Sequence, residues 1–475
     1  MTADEFRKHA HELVEWMAGY LENVEKYRVK SAVKPGEVFN KLPDNPPAEP
    51  ESFGSLMKDL EEIIMPGITH WQSPNFFAYF PANSSPPSVL AEMITATLAA
   101  QCMIWETSPA AAELEEKMMI WLRKMIGLPE NFEGVIQDTA STATLAAIIT
   151  AREKITGFRI NEHGAAAAGT LRVYCSEQTH SSVEKAVKIC GIGRKNLVKV
   201  GVRDDYSLDP KKLEEKIEMD RKSGFIPCCV IATIGTTGTT AIDPLKETGE
   251  ICSRYGIWLH VDAAMGGTAL ILPEFRWMLE GKEYIDSFVF NPHKWMFTNF
   301  DCSAYFVKDP DSLIRTFEIL PEYLKTRTRG QVNDYRDWGI PLGRRFRALK
   351  LWSVIRSYGT AELQRKIRYH IELAGKLAEK IAREADFELL APVKLNVVCF
   401  RYNPGDAGED LLNKMNEKLN HILNDSGEIY LTHTVLKGCY TLRMVTGQTN
   451  VELRHVERAW DLIRETAKSI ERSQL

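Results

Sequence analysis

The sequence predicts an α/β fold, in which one large domain on a mostly parallel sheet carries smaller helical and α+β additions. Three observations support this. The chain has 475 residues, more than the roughly 100–200 of an ordinary domain. Its middle repeatedly sets short β-branched runs beside helical ones, the pattern of a sheet covered by helices. Several of those runs end in a reactive polar residue, the place where an open α/β sheet binds ligands.

Residues 1–82 hold two helical stretches, "DEFRKHAHELVEWMAGYLENVEKY" and "SLMKDLEEIIMPG", around the proline-rich connector "LPDNPPAEPESF". They have too little core to stand alone and read as an arm packed on something else. Residues 83–348 supply the strand-like runs "GVIQD", "LRVYCS", "CCVIATIG", "IWLHVDAA" and "DSFVFNP", with "ATLAAIITAREK" and "LKETGEICSRYG" among the helices. Residues 349–475 alternate helices such as "ELQRKIRYHIELAGKLAEKIAREA" with the strands "KLNVVCFRY" and "CYTLRMV", a small α+β domain.

Apolar residues make up 44%, charged residues 26%, and the net charge is −5, so nothing points to nucleic acid or an anionic membrane. No apolar run approaches the ~18 residues of a bilayer span. The first helix is amphipathic rather than signal-like, and the expected location is the cytoplasm. Nine cysteines without CxxC spacing read as reduced thiols used as small core residues. His11-Glu12 lacks the second histidine of HExxH, and no metal site is expected.

Four strand ends carry unusual chemistry. After "GVIQD", Thr139, Ala140 and Ser141 open a helix; they are an ordinary N-cap or an anion cradle. The triphosphate loop is absent and "CGIGRKN" lacks the third glycine of GxGxxG. After "LRVYCSEQT" comes His180, a structural histidine or a functional one. After "IWLHV" comes Asp262, followed by two alanines; it caps a turn, or it meets a positive charge beside space for a flat ligand. After "DSFVFNPH" comes Lys294, which either snorkels to water or is held with a lowered pKa as a nucleophilic amine. Each signal is weak alone. Together they match the needs of pyridoxal phosphate: a phosphate to anchor, a pyridine nitrogen to keep protonated, a ring face to cover and an aldehyde that needs an amine.

The stretches "NPHKW", "HVDAA", "THSSVEKA", "THWQSPNFFAYFP" and "DYRDWGIPLGRRFRALKLW" resemble the aromatic-L-amino-acid decarboxylases, group II of the pyridoxal-phosphate decarboxylases, over essentially the whole chain. The resemblance implies an aspartate-aminotransferase-like (fold type I) large domain. It implies that Lys294 holds the cofactor covalently, Asp262 pairs with the pyridinium nitrogen, and His180 stacks on the ring and helps position the substrate carboxylate. Thr237 and Ala264 would lie near the cofactor, and Thr139, Ala140, Ser141, Asn291 and His293 would form the phosphate end.

The resemblance also assigns Trp71, Tyr79, Phe80 and Pro81 to the substrate ring, where aromatic surface is a suitable partner. Ala82, Met103, His180 and Gly343 complete the expected pocket. No arginine stands in the aromatic stretch, which argues against an acidic substrate side chain. Ala82, Met103 and Met265 depart from the animal enzymes, and Gly343 goes with indole substrates in plant relatives. Members of the family are homodimers whose N-terminal arm wraps the partner. The segment "ILPEYLKTRTRGQVNDYRDW" reads as a mobile loop carrying Tyr323. Relatives with tyrosine there mostly make amines and those with phenylalanine mostly make aldehydes. The expected function is decarboxylation of tryptophan, 5-hydroxytryptophan, L-dopa, tyrosine or phenylalanine. The alternatives are an aldehyde synthase of the same family and a non-catalytic homologue acting as a binding protein.

Overall fold

The structure is a computed structural model and describes residues 1–319, 330–405 and 407–472. It divides into two compact units: Ala82–Ala374 with Ala391–Val397, and Met1–Pro81 with Gly375–Leu390 and Val398–Leu475. The N-terminal segment thus groups with the C-terminal part of the chain.

The larger unit is built on seven strands: β1 (Glu133–Gln137), β2 (Leu171–Ser176), β3 (Leu197–Val200), β4 (Ile226–Thr233), β5 (Trp258–Asp262), β6 (Ser287–Phe290) and β7 (Ser303–Val307). Their order is β1-β7-β6-β5-β4-β2-β3. The pairs β2–β3, β2–β4, β4–β5 and β5–β6 are parallel, whereas β7 runs antiparallel to both β1 and β6. The sheet is therefore mostly parallel, as expected. Every residue of β5 and β6 is buried, as helices on both faces require.

The helix Ala140–Ile155 forms because Thr139 is an extended N-cap whose side chain accepts the Thr142 N–H, and nine of its residues are buried. The helix Leu245–Tyr255 stops at Gly256, which takes the left-handed conformation at φ 66°. Parallel pairing aligns the carboxyl ends of the strands: Thr233 lies opposite Asp262, and Asp262 opposite Val289. The loops that follow β4, β5 and β6 therefore emerge side by side.

The smaller unit contains an antiparallel sheet of β8 (Phe387–Leu389), β9 (Val397–Tyr402), β10 (Thr432–Leu436) and β11 (Cys439–Val445), in the order β10-β11-β9-β8. Asn416 on the helix Glu409–Ser426 clasps both backbone groups of Tyr402, at 2.8 Å each. The first helix, Ala3–Asn23, is closed by a capping box between Thr2 and Glu5 and contains no buried residue.

Candidate functional site

In the larger unit the residues predicted to hold the cofactor stand at the carboxyl ends of the strands. Asp262 ends β5 and is 5% exposed. Its Oδ1 accepts the Ala264 N–H at 3.0 Å, and its Oδ2 has no hydrogen bond among the described residues. Ile234 N–H donates to the Asp262 carbonyl at 3.0 Å, so the loop that carries the exposed Thr237 begins directly beside it.

The turn after Asp262 is packed against that loop and against β6. Gly235 sits at φ 85°, and a β-carbon on it would meet the Gly266 backbone at 3.1 Å. Three backbone hydrogen bonds tie the turn: Ala263 N–H to the Val289 carbonyl at 2.9 Å, Gly267 N–H to the Ala263 carbonyl at 2.8 Å, and Asn291 N–H to the Ala264 carbonyl at 2.9 Å.

Lys294 lies in the short helix Pro292–Trp295 just after β6 and is half-buried. His293 beside it is buried, and its Nδ1 accepts the Cys302 N–H at 2.8 Å. Burial, reinforced by the Lys294 charge, pushes its pKa down to about 3, so the ring is neutral. Asn291 is 2% exposed and its Oδ1 accepts the Ser303 hydroxyl at 2.7 Å.

His180 follows β2. Its Nδ1 accepts the Ser182 N–H at 3.2 Å and lies 2.8 Å from the Ser182 hydroxyl. The ring is exposed in the single chain, yet the protein around it lowers its pKa. Desolvation is the main cause; Asp262 opposes it and Lys294 adds to it. One imidazole therefore senses both the carboxylate and the lysine.

At the start of the helix Ala140–Ile155, Thr139 and Ala140 are half-buried and Ser141 is exposed. The backbone N–H groups of Ala140 and Ser141 have no acceptor among the described residues, and they lie at the positive end of the helix dipole. Ser303 Oγ, within reach of both Asn291 Oδ1 and the Asp138 carbonyl at 3.3 Å, joins this end to β6.

Met103 and Gly343 share a hydrogen-bonded pair of segments: Arg336 N–H donates to the Met103 carbonyl at 2.9 Å, Cys102 N–H to the Arg344 carbonyl at 3.0 Å, and Arg344 N–H to Gln101 Oε1 at 2.7 Å. Ala82 is half-buried and Met265 fully buried. Trp71, Tyr79, Phe80 and Pro81 belong to the smaller unit, where Trp71 and Tyr79 stack at 5.7 Å. Tyr323 lies outside the described residues.

These residues fit pyridoxal phosphate. A buried carboxylate with one oxygen unclaimed suits a pyridinium N–H, free N–H groups at a helix start suit a phosphate, and a half-buried lysine suits an aldehyde. Sequence reasoning missed Ser303, Ser182 and Cys302. The apolar run "AYFV" after Ser303 was the available signal for the strand that begins at Ser303.

Residues 35–403 match the family described as "Pyridoxal-dependent decarboxylase conserved domain". The chain is 43% identical to a phenylacetaldehyde synthase of Petunia hybrida, over 98% of this chain and 95% of that protein. It is 42% identical to tyrosine decarboxylase 4 of Petroselinum crispum, over 99% and 94% respectively. The structure of Oryza sativa TDC with PLP and tryptamine superposes with a TM-score of 0.96 at 37% identity, over 99% of each chain.

Proposed function

The chain belongs to the pyridoxal-dependent decarboxylases, and from that premise we propose that it removes carbon dioxide from aromatic L-amino acids and releases the arylalkylamine. It is a PLP-dependent carboxy-lyase of aromatic amino acid metabolism. Bound at the strand ends, pyridoxal phosphate supplies an electron sink for the pair left behind when carbon dioxide departs.

In this reading the protein's own groups divide the work. Lys294 tethers the cofactor, and Asp262 keeps the pyridine nitrogen protonated through its unclaimed oxygen. His180 covers the ring and holds the substrate carboxylate. Thr139, Ala140, Ser141, Asn291 and His293 bind the phosphate, with Thr237 and Ala264 beside the ring. Trp71, Tyr79, Phe80, Pro81, Ala82, Met103 and Gly343 select the aromatic side chain. Tyr323 delivers a proton to the former α-carbon. The observation that supports this best is the placement of His180 after β2, Asp262 at the end of β5 and Lys294 just after β6, at the carboxyl ends of strands that run parallel in one sheet.

The protein acts as a homodimer, the arm and the helix Pro86–Leu98 packing on a second copy. In support, Leu90, Met93, Ile94 and Leu98 form one exposed stripe on that helix, from 36% to 59% exposed. No helix of the described residues is long and apolar enough to cross a membrane, and the proposed location is the cytoplasm. A second reading, aldehyde synthase, is favoured by the similarity to the Petunia hybrida protein.

The purified protein, supplied with tryptophan, tyrosine, phenylalanine and L-dopa, is assayed for carbon dioxide, amine, aldehyde and peroxide. Amine with little peroxide is expected, and Tyr323→Phe should divert product to aldehyde, ammonia and peroxide. Predominantly aldehyde from the unmodified protein makes it a synthase. Lys294→Ala should lose the visible absorbance of the bound cofactor and all turnover; normal turnover would remove Lys294 from the site.

A further inference from the structure

The aromatic segment from Trp71 to Pro81 is shaped by residues far along the chain. Asn75–Phe77 is tied on both sides: Phe77 N–H donates to the Tyr430 carbonyl at 2.9 Å, and Val445 N–H donates to the Phe77 carbonyl at 3.0 Å. Two residues later Tyr79 turns to φ 51°, the left-handed region that a β-carbon disfavours. Such a conformation persists only where its surroundings over-determine it, and it clusters at ligand clamps.

The surroundings here are specific. Thr432 Oγ1 accepts the Tyr79 N–H at 3.3 Å, and Arg443 Nη1 donates to the Tyr79 carbonyl at 2.7 Å. The same guanidinium lies 4.7 Å from the centre of the Phe80 ring, within the range of a cation–π contact. Arg443 is 3% exposed. Burial pulls its pKa down to about 10, which still leaves it charged at neutral pH. By contrast the rings of Trp71 and Tyr79 face outward, 37% and 48% exposed. Their planes are 16° apart, and Tyr430 meets Tyr79 edge-on at 6.0 Å. The backbone is pinned from inside while the ring faces remain available.

We propose that Arg443 is a positioning residue for substrate selection: by holding the Tyr79 carbonyl and the Phe80 ring, it fixes the angle at which Trp71, Tyr79 and Phe80 meet the aromatic side chain of the substrate. The inference rests on the assignment of that segment to the substrate ring. A platform fixed at one angle separates an indole from a phenol, because ring size then decides how much surface is covered. A platform that rocks accepts both.

The test compares Arg443→Met, Arg443→Lys, Thr432→Val and Trp71→Ala as holoenzymes, reading cofactor absorbance, melting temperature, and kcat and KM for tryptophan, tyrosine and phenylalanine. Arg443→Met should raise KM about ten-fold while kcat changes by less than about three-fold. The kcat/KM ratio between indole and phenol substrates should move toward one. Arg443→Lys keeps a donor for the Tyr79 carbonyl and should recover part of the ratio. Thr432→Val should move it the same way by less, and the double variant should show less than the product of the two effects, since both act on Tyr79.

Equal losses for all three substrates, or an unchanged ratio in Arg443→Met, overturn the inference. Where Arg443→Met fails to fold, an unchanged ratio in both Thr432→Val and Arg443→Lys overturns it equally. Trp71→Ala separates the two levels of the argument. If it shifts selectivity while the Arg443 and Thr432 variants do not, only the positioning role fails. If it leaves KM and selectivity untouched as well, the assignment of the segment fails.

Discussion

Gly267→Ala would drive a wedge between the two elements that carry Asp262 and Lys294. A β-carbon there would stand 2.5 Å from Phe290 Cβ and 3.1 Å from Ala263 Cβ. Carbon atoms pack at about 3.5–4.0 Å, so the added methyl is about 1 Å too close to an atom that cannot rotate away, because a Cβ is fixed to its backbone. Phe290 immediately precedes Asn291, and Ala263 immediately follows Asp262. Relief must come from separating the turn from β6, against the hydrogen bonds of Ala263 to Val289 and of Asn291 to Ala264, both 2.9 Å.

Misplacing reacting groups by about 1 Å can cost roughly a hundred-fold in rate, and overpacking of this kind costs about 1–3 kcal/mol of stability. The glycine is not in the left-handed region, so no backbone penalty blurs the result. The assay is steady-state release of carbon dioxide, with cofactor absorbance and thermal melting measured alongside. The control is Gly375→Ala in the helix Arg347–Arg383, where a β-carbon meets nothing within 4 Å. That change should leave activity alone and stabilise by about 0.5–1 kcal/mol. Parental kcat/KM in Gly267→Ala would refute the claim that this contact sets the spacing between Asp262 and Lys294.

Two further predictions concern charge. Asp262→Ala should lower kcat by at least about a hundred-fold while cofactor affinity falls much less, because the counter-charge to the pyridine nitrogen matters most in the transition state; equal losses in a binding titration and in rate would make Asp262 a mere anchor. Buried His260, His293 and His370, whose pKa values desolvation lowers to about 4, 3 and 3, stay neutral when folded but take protons when unfolded below the ordinary 6.5, so stability should fall as pH drops from 6.5 toward 5. Each contributes up to about 1.4 kcal/mol per pH unit, and Asp243, raised by burial to about 7, works in the opposite sense. His370→Gln, which keeps an acceptor for the Trp295 Nε1–H, should flatten the urea-midpoint slope by about one proton.

The strands legible in the sequence were those whose side chains are buried on both faces. "CCVIATIG" and "IWLHVDAA" read as continuous apolar runs because β4 and β5 lie inside the sheet. β3 and β10 lie at sheet edges, with partly exposed residues that dilute the pattern. β7 hid behind the polar "TNFDCS". The helix Arg347–Arg383 was read only in its second half, since Gly359, at φ 68°, interrupts it.

The same logic governs the site. Lys294, Asp262 and His180 stood out because such residues are costly at the ends of buried strands. Ser303 and Ser182 are ordinary residue types whose meaning depends on what folding brings within reach. The hold of Arg443 on Tyr79 spans 364 residues, beyond any local pattern.

The hydrogen bonds of His180 limit what it can contribute under the proposed chemistry. A backbone N–H can only donate, so Nδ1, which takes the Ser182 N–H, is an acceptor and carries no proton. The lowered pKa keeps the ring neutral at pH 7, which places the single ring proton on Nε2. In that state His180 offers one donor, suited to a substrate carboxylate, and its only basic nitrogen is already engaged. Protonating Nδ1 would take the acceptor from the Ser182 N–H, leaving the Ser182 hydroxyl as its partner, and place a cation where Lys294 opposes it. Under the proposed chemistry this suits the residue to holding a carboxylate rather than to shuttling protons. Releasing an amine still requires a proton at the former α-carbon, and the phenol of Tyr323 is the group assigned to that step. Ser182→Pro removes the N–H and frees Nδ1. If His180 only holds the carboxylate, this change should raise KM and leave the amine-to-aldehyde ratio unchanged, whereas Tyr323→Phe should shift that ratio.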